Sequence, residues 1–321
     1  MIRAIAIVGP TASGKTGLSL SLAEKITAEI ISLDSMQIYK GMDVGTAKAT
    51  AEERGKIPHH LIDFLSPTEN YSTERYRRDA LECARDIEKR GKIPLFVGGT
   101  GLYLDTLLRA EQTNVPESSP EYREKITEGL KTPEDVHALW QRLFEVDRES
   151  AEKIHENNLR RVIRALEIYD TTGVTKTELD KRSKEKAKDI EILVLSLDFH
   201  SRDTLYERID TRCDEMIASG LLDEVKSLYE SGFLDGKNTA SQAIGYKELL
   251  TYIKGEGTLT SALEVLKQSS RRYAKRQLTW FRHTDAVKLY VDSEDGSLRS
   301  KEEILGEALE LINTYLKRIE T

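Results

Sequence analysis

The segment Gly9-Pro10-Thr11-Ala12-Ser13-Gly14-Lys15-Thr16 constrains the fold of this chain more than any other feature. It has the form G-x-x-x-x-G-K-S/T, follows the short apolar run Ala4–Val8, and opens a helical pattern carrying Leu18, Leu20, Leu22 and Ala23. Strand, glycine loop and helix in that order form a phosphate cradle. Glycine lets backbone N–H groups turn toward phosphate oxygens, and the helix start adds the positive end of its dipole. Lys15 supplies a charge, and the Thr16 hydroxyl is placed to ligate a magnesium ion that bridges the phosphates. Gly9, Pro10, Thr11, Ala12, Ser13, Gly14, Lys15 and Thr16 are therefore the expected diphosphate- or nucleotide-binding residues, with Thr16 the metal ligand. The loop recognises phosphate and not a nucleoside.

A parallel sheet follows from the runs around the loop. Ile30–Leu33 ends at Asp34, and Ile93–Val97 ends at Gly98-Gly99-Thr100-Gly101, with a charged helix near Thr73–Arg90 between them. Strands apolar on both faces and alternating with helices predict an α/β fold, a phosphate-loop-type parallel sheet with flanking helices. From about Pro116 to Asp189 strand-like runs vanish, and helical patterns such as Glu134–Phe144 and Leu159–Tyr169 replace them. The expected organisation is a catalytic core over 1–115 and 190–321 with an all-helical insertion domain over 116–189. After it come a strand at Glu191–Leu197, long helices at Thr204–Ser231 and Leu259–Arg282, and a last strand at Val287–Val291. Ser300 and Glu303 form a capping-box start for a closing helix with Ile304, Leu309, Ile312 and Leu316 on its apolar face.

Asp34 and Thr100 both fall at the carboxyl edge of this sheet, where the phosphate loop lies and where open α/β sheets bind ligands. A carboxylate there can take a proton from an acceptor; it can equally be an outer ligand of magnesium or a helix cap. Cys83 and Cys213 lie far apart in helical patterns and read as small core residues, and the six histidines make no metal-ligand spacing. No apolar run reaches the ~20 residues that span a bilayer, and the amino terminus reads as a core strand rather than a signal peptide, so a cytoplasmic protein is expected.

The net charge is −7, which argues against general polyanion binding. Two segments break that trend. Lys267–Arg282 carries Lys267, Arg271, Arg272, Lys275, Arg276 and Arg282 with no acidic residue, interleaved with Tyr273, Trp280 and Phe281, which suits RNA phosphates and unstacked bases. On the helix near Leu159–Leu166 an apolar stripe of Leu159, Val162, Ile163 and Leu166 groups Arg160, Arg161 and Arg164 on another face. Each could also be an ordinary solvated basic face.

The phosphate loop, Asp34-Ser35-Met36-Gln37-Ile38-Tyr39, Gly41–Lys48, Pro58-His59-His60-Leu61, Gly98–Tyr103, Arg161–Glu167, Gln242–Glu248 and Arg272-Tyr273-Ala274-Lys275-Arg276-Gln277, in this order, resemble the bacterial tRNA dimethylallyltransferases. The resemblance covers nearly the whole chain. It implies transfer of a dimethylallyl group from dimethylallyl diphosphate to the N6 amine of the adenine 3′-adjacent to the anticodon, with Mg2+ as cofactor and the anticodon stem-loop of tRNA as partner. It implies Asp34 as base, Thr100 holding the amine and Lys15 stabilising the leaving group, with Asp34, Ser35, Met36, Gln37 and Thr100 facing the RNA. Arg160, Arg161, Arg164, Arg272 and Arg276 would grip the RNA, and a monomer is expected. Arg208 and Arg212, four apart on one helical face, would close over the diphosphate; alternatively they form a surface ladder with Asp210 and Asp214. The competing readings are a small-molecule kinase, prenyl transfer to free adenylate, and a non-catalytic RNA binder switched by a nucleotide.

Overall fold

The computed structural model describes residues 1–110, 119–182, 185–236 and 238–317. It divides into two compact units, Met1–Asp105 with Asp189–Thr321, and Thr106–Lys188. The expected boundary at 115–116 lies outside the described residues.

In the larger unit the chain runs β1 (Ile2–Val8), α1 (Lys15–Ile26), β2 (Ala28–Leu33), α2 (Ala51–Lys56), β3 (His59–His60), α3 (Thr73–Lys89), β4 (Ile93–Gly98) and α4 (Gly101–Leu108), whose last turn enters the smaller unit. The smaller unit holds α5 (Pro120–Glu128), α6 (Pro133–Val146), α7 (Arg148–Lys153), α8 (Leu159–Thr172) and α9 (Lys176–Arg182) around a core of Leu143, Ala151, Ile154, Val162, Ala165 and Leu166. The larger unit resumes with β5 (Ile190–Asp198), α10 (Arg202–Ala218), α11 (Leu221–Glu230), α12 (Tyr246–Ile253), α13 (Leu259–Arg282), β6 (Val287–Tyr290) and α14 (Lys301–Lys317).

The six strands form one sheet in the order β3-β2-β4-β1-β5-β6, every pair parallel. All but one residue of β1 and all of β2 are buried, the signature of strands covered on both faces. Register aligns the strand ends: Val8 pairs with Gly98, and Gly98 with Leu33. The loops that follow β1, β2 and β4 therefore leave the sheet at one edge, bringing residues 9–16, 34–37 and 99–100 together. Tyr76 of α3 stacks on Tyr103 of α4 at 3.8 Å, and its hydroxyl donates to the Ser32 carbonyl at 3.1 Å. Such a stack is worth about 0.5–1.5 kcal/mol beyond area burial and pins both helices to that edge.

Three elements differ from the sequence expectation. The helix expected over Thr204–Ser231 is two helices, because Gly220 adopts φ 95° and turns the chain between α10 and α11. His59-His60 is a short edge strand; the His60 ring meets the buried Glu29 carboxylate of β2 at 2.7 Å. Helix α12 lacks the long apolar periodicity that marks a helix in sequence, yet Tyr246, Leu249 and Leu250 are buried in the core. The Ser300 capping box is present, with Glu303 accepting from the Ser300 N–H at 2.9 Å and its own N–H donating to Ser300 Oγ at 3.2 Å.

Candidate active site

The phosphate loop wraps the start of α1. Gly14, at φ 91°, is the residue before the helix, and no side chain caps the helix there, so its first N–H groups face the loop interior. Gly9 is required on steric grounds: a Cβ there would lie 2.8 Å from the Leu197 carbonyl oxygen of β5. The Lys15 ammonium donates to the Gly9 and Pro10 carbonyls at 3.1 and 2.6 Å. Burial and the neighbouring Arg212 guanidinium push its pKa down to about 7, while Asp34 opposes the fall. Ser13 Oγ is buried and has no hydrogen-bond partner among the described residues. Thr16 is exposed at the mouth of the same cavity, of about 1320 Å³, that Asp34, Gly99, Arg208 and Arg212 line.

Arg208 and Arg212 turn toward the loop. Arg208 Nε donates to the Ala12 carbonyl at 2.8 Å, and burial lowers the pKa of both arginines. The alternative ladder has other partners: Arg271 of α13 takes Asp210 at 2.6 Å, and Lys267 takes Asp214 at 2.9 Å. Those ion pairs lock α10 to α13 and leave Arg208 and Arg212 beside Lys15. Three cations around one loop, with Asp34 the opposing charge, make a site for a multiply charged anion.

On the acceptor side, Asp34 Oδ1 accepts from the Met36 and Gln37 backbone N–H groups at 2.8 and 3.2 Å, an Asx turn that holds the carboxylate at the end of β2. Thr100 Oγ1 accepts from the Ser35 N–H at 3.1 Å, tying the turn after β4 to the turn after β2. The Gln37 amide points into its own loop, donating to the Thr46 and Ala47 carbonyls at 3.1 and 3.4 Å. It therefore shapes the wall rather than reaching out. Met36 packs against the core.

Sequence reasoning missed three side chains that organise this edge. Gln277 of α13 accepts from the Thr11 N–H at 2.9 Å and donates to the Gly99 carbonyl at 3.0 Å. Glu224 of α11 accepts from the N–H groups of Asp43, Val44 and Gly45 at 2.9, 2.7 and 3.1 Å, and from the Tyr246 hydroxyl at 2.5 Å. Tyr246 lies where a Cβ on Gly45 would fall, 2.5 Å from its ring. Glu224 gave no signal, being one acid among many; Gln277 and Tyr246 stand inside family-like motifs without a role of their own.

The basic segments sort by partner. On α13, Lys267 and Arg271 are consumed by α10, and Phe281 is buried at 5% exposure, so it belongs to the core and not to a stacking surface. Arg272, Lys275, Arg276 and Arg282 are exposed, Trp280 is 40% exposed, and Arg276 lies over the Tyr273 ring at 5.5 Å. Burial first, and then Asp34, raise the Tyr273 phenol, whose side chain reaches Thr100 and Gln277. On α8, Arg160 and Arg161 are exposed, whereas Arg164 pairs with the buried Glu167 at 2.8 Å.

Comparison with known proteins shows the family and the fold. The IPP transferase family model matches residues 37–284, and the isopentenyl transferase model residues 2–63. The chain belongs to the IPP transferase family. It is 46% identical over 290 residues to the tRNA dimethylallyltransferase of a Thermoanaerobacter species, covering 90% of this chain and 91% of the relative. The Bacillus velezensis enzyme of the same name is 49% identical over 87% of each chain. Among solved structures, the tRNA delta(2)-isopentenylpyrophosphate transferase of Staphylococcus epidermidis superposes with a TM-score of 0.70 at 42% identity, covering 98% of this chain and all of that one. A eukaryotic dimethylallyltransferase acting on tRNA gives a TM-score of 0.77 at 34% identity, covering 90% of this chain and 74% of that one.

Among the described residues no group of three or more His, Cys, Asp or Glu could hold a metal ion, and no helix is long and apolar enough to cross a membrane. An all-protein cage is not what magnesium needs. It keeps most of its waters and takes one or two protein oxygens plus phosphates, and the exposed Thr16 hydroxyl beside the loop N–H groups fits that donor set.

Proposed function

We propose that this chain is a tRNA dimethylallyltransferase that takes dimethylallyl diphosphate as donor and the N6 amine of the adenine 3′-adjacent to the anticodon as acceptor. The observation that carries the reading is one cavity lined both by Lys15, Arg208 and Arg212 and by Asp34. The cations suit a diphosphate, and the carboxylate suits an acceptor that must lose a proton.

The adenine amine is a poor nucleophile because its lone pair is delocalised into the ring. As its nitrogen bonds to the allylic carbon, the C–O bond to the diphosphate breaks and Asp34 takes the amine proton, a role worth about 10²–10⁴ in rate. Thr100, fixed to the Ser35 N–H, braces the acceptor side, and Ser35 to Gln37 line the cavity beside Asp34. Lys15, Arg208, Arg212 and the loop N–H groups stabilise charge gathering on the departing diphosphate. A magnesium ion held through Thr16, when bound, adds to that neutralisation. The exposed Arg272 and Arg276, with Trp280, and Arg160 and Arg161 on the smaller unit are the surfaces for RNA backbone and unstacked bases. Extrusion of the adenine costs a few kcal/mol, which those surfaces offset by binding the RNA. The tRNA acceptor supports a cytoplasmic enzyme.

The test is incubation with labelled dimethylallyl diphosphate and either unmodified tRNA or adenylate, with magnesium and without ATP. Label is expected in tRNA alone. Label in adenylate at comparable efficiency would move the reading to a free nucleotide, and turnover only with ATP would restore the kinase reading.

A further inference from the structure

Gln277 stands between the two halves of the cavity. It lies on α13 with 5% of its surface exposed, and both ends of its amide are used: Oε1 accepts from the Thr11 N–H of the phosphate loop, and Nε2 donates to the Gly99 carbonyl of the turn that carries Thr100. The turn is built to receive it. A Cβ on Gly99 would lie 2.1 Å from Gln277 Nε2, and one on Gly101 would lie 2.4 Å from Trp280 Cδ1, so α13 seats two side chains on two glycines of one turn. From Gly99 the connection continues through the Thr100 N–H to the Leu33 carbonyl at 3.0 Å and through Thr100 Oγ1 to the Ser35 N–H at 3.1 Å, beside Asp34.

We propose that Gln277 is a positioning residue that sets the spacing between the donor loop and the acceptor turn, and so aligns the allylic carbon with the amine and its base. The proposal rests on the prenyl-transfer reading of the cavity. The amide is suited to the task because one planar group offers an acceptor and a donor at opposite ends. A carboxylate can still accept from Thr11 but sets two oxygens against each other at Gly99, and a thioether of similar length can serve neither end well. A reaction between two bound partners is steep in their separation: a misplacement near 1 Å can cost about 100-fold in rate without loss of either ligand.

The test uses the full chain with Gln277→Met and Gln277→Glu, each checked for native circular dichroism. We expect single-turnover rates at saturating donor and tRNA to fall about 30- to 100-fold in both, while equilibrium affinities for dimethylallyl diphosphate and for tRNA stay within about threefold of wild type. Glu29→Gln, which weakens the sheet edge away from the cavity, is the control for stability loss, and it should keep its single-turnover rate at a temperature where it is folded. Wild-type rates in either Gln277 variant that folds, a loss confined to donor or tRNA affinity, or an equal rate loss in Glu29→Gln would overturn the positioning role. If both variants fail to fold, the side chain is needed for the fold and the proposal as stated is wrong. Absence of prenyl transfer by the wild type would instead sink the reading of the cavity itself.

Discussion

Replacement of Asp34 by Asn is the sharpest test of the acceptor side, because the structure shows what the amide keeps. Asp34 Oδ1 accepts from the Met36 and Gln37 N–H groups at 2.8 and 3.2 Å, and an Asn carbonyl oxygen can accept both. The Asx turn and the positions of Ser35 to Gln37 survive, and only the basicity is lost. A base of this kind is worth about 10²–10⁴, or about 3–5 kcal/mol of barrier, so the single-turnover rate should fall by that factor with tRNA affinity within a few-fold of wild type. Asp34→Ala removes the turn as well. Residues 34–37 are only partly buried, so water can replace part of what the two N–H groups lose, and Ala should add a modest tRNA-affinity loss, about tenfold, to the same loss in rate. The Asp34 charge also holds the Lys15 ammonium up against burial and Arg212, so its removal changes the electrostatics of the donor loop and the assay must saturate the donor. Rapid quench with labelled donor and excess enzyme, beside filter binding of tRNA, measures the two quantities separately. If Asn and Ala lose tRNA binding alike and keep the wild-type rate on bound tRNA, Asp34 is a binding residue and its assignment as the base fails.

Lys15→Ala and Thr16→Ala should raise the donor KM and, for Thr16, the magnesium concentration needed for half-maximal rate, with tRNA affinity unchanged; steady-state kinetics across a magnesium series decides it. Arg272→Gln with Arg276→Gln should raise the KM for tRNA and flatten its salt dependence by about 0.7–0.9 log–log units for each phosphate left unneutralised, and Arg160→Gln with Arg161→Gln should do the same; Arg164 is left intact because its guanidinium is held by Glu167. Burial pulls Glu29 up, but hydrogen bonds from Lys92, His60 and Arg90 outweigh it and bring the carboxyl from 4.5 to about 2. A folded pKa below the unfolded one gives stability that is present above pH 4.5 and lost as pH falls toward 2. The difference, 4.5 − 2, corresponds to at most about 3 kcal/mol, so urea midpoints of the wild type should drop further over that window than those of Glu29→Gln, which keeps the other lowered carboxylates such as Asp63 and Glu149.

What the sequence made legible was periodic or local. The largely apolar, buried runs of β1, β2 and β4 announce a covered parallel sheet because burial on both faces favours apolar side chains at successive positions. The phosphate loop announces itself because Gly9 and Gly14 hold backbone conformations or close approaches that side chains resist. The edge that makes a site of these pieces is different in kind, since it is assembled by side chains far apart in sequence whose polar ends meet backbone. Gln277 reaches back 266 positions to Thr11, and Glu224 reaches back 181 to Asp43. No periodicity records such a bond, and its trace in the sequence is indirect: Gly99 must lack a Cβ so that Gln277 fits, and Gly45 must lack one so that Tyr246 fits. The same limit governs charge. Lys267–Arg282 reads as one basic face, but two of its cations are paired with Asp214 and Asp210, and Arg208 meets the phosphate loop instead of those acids. The basic helix is therefore two surfaces in one, an inner row paired with α10 and an outer row of exposed Arg272, Lys275, Arg276 and Arg282.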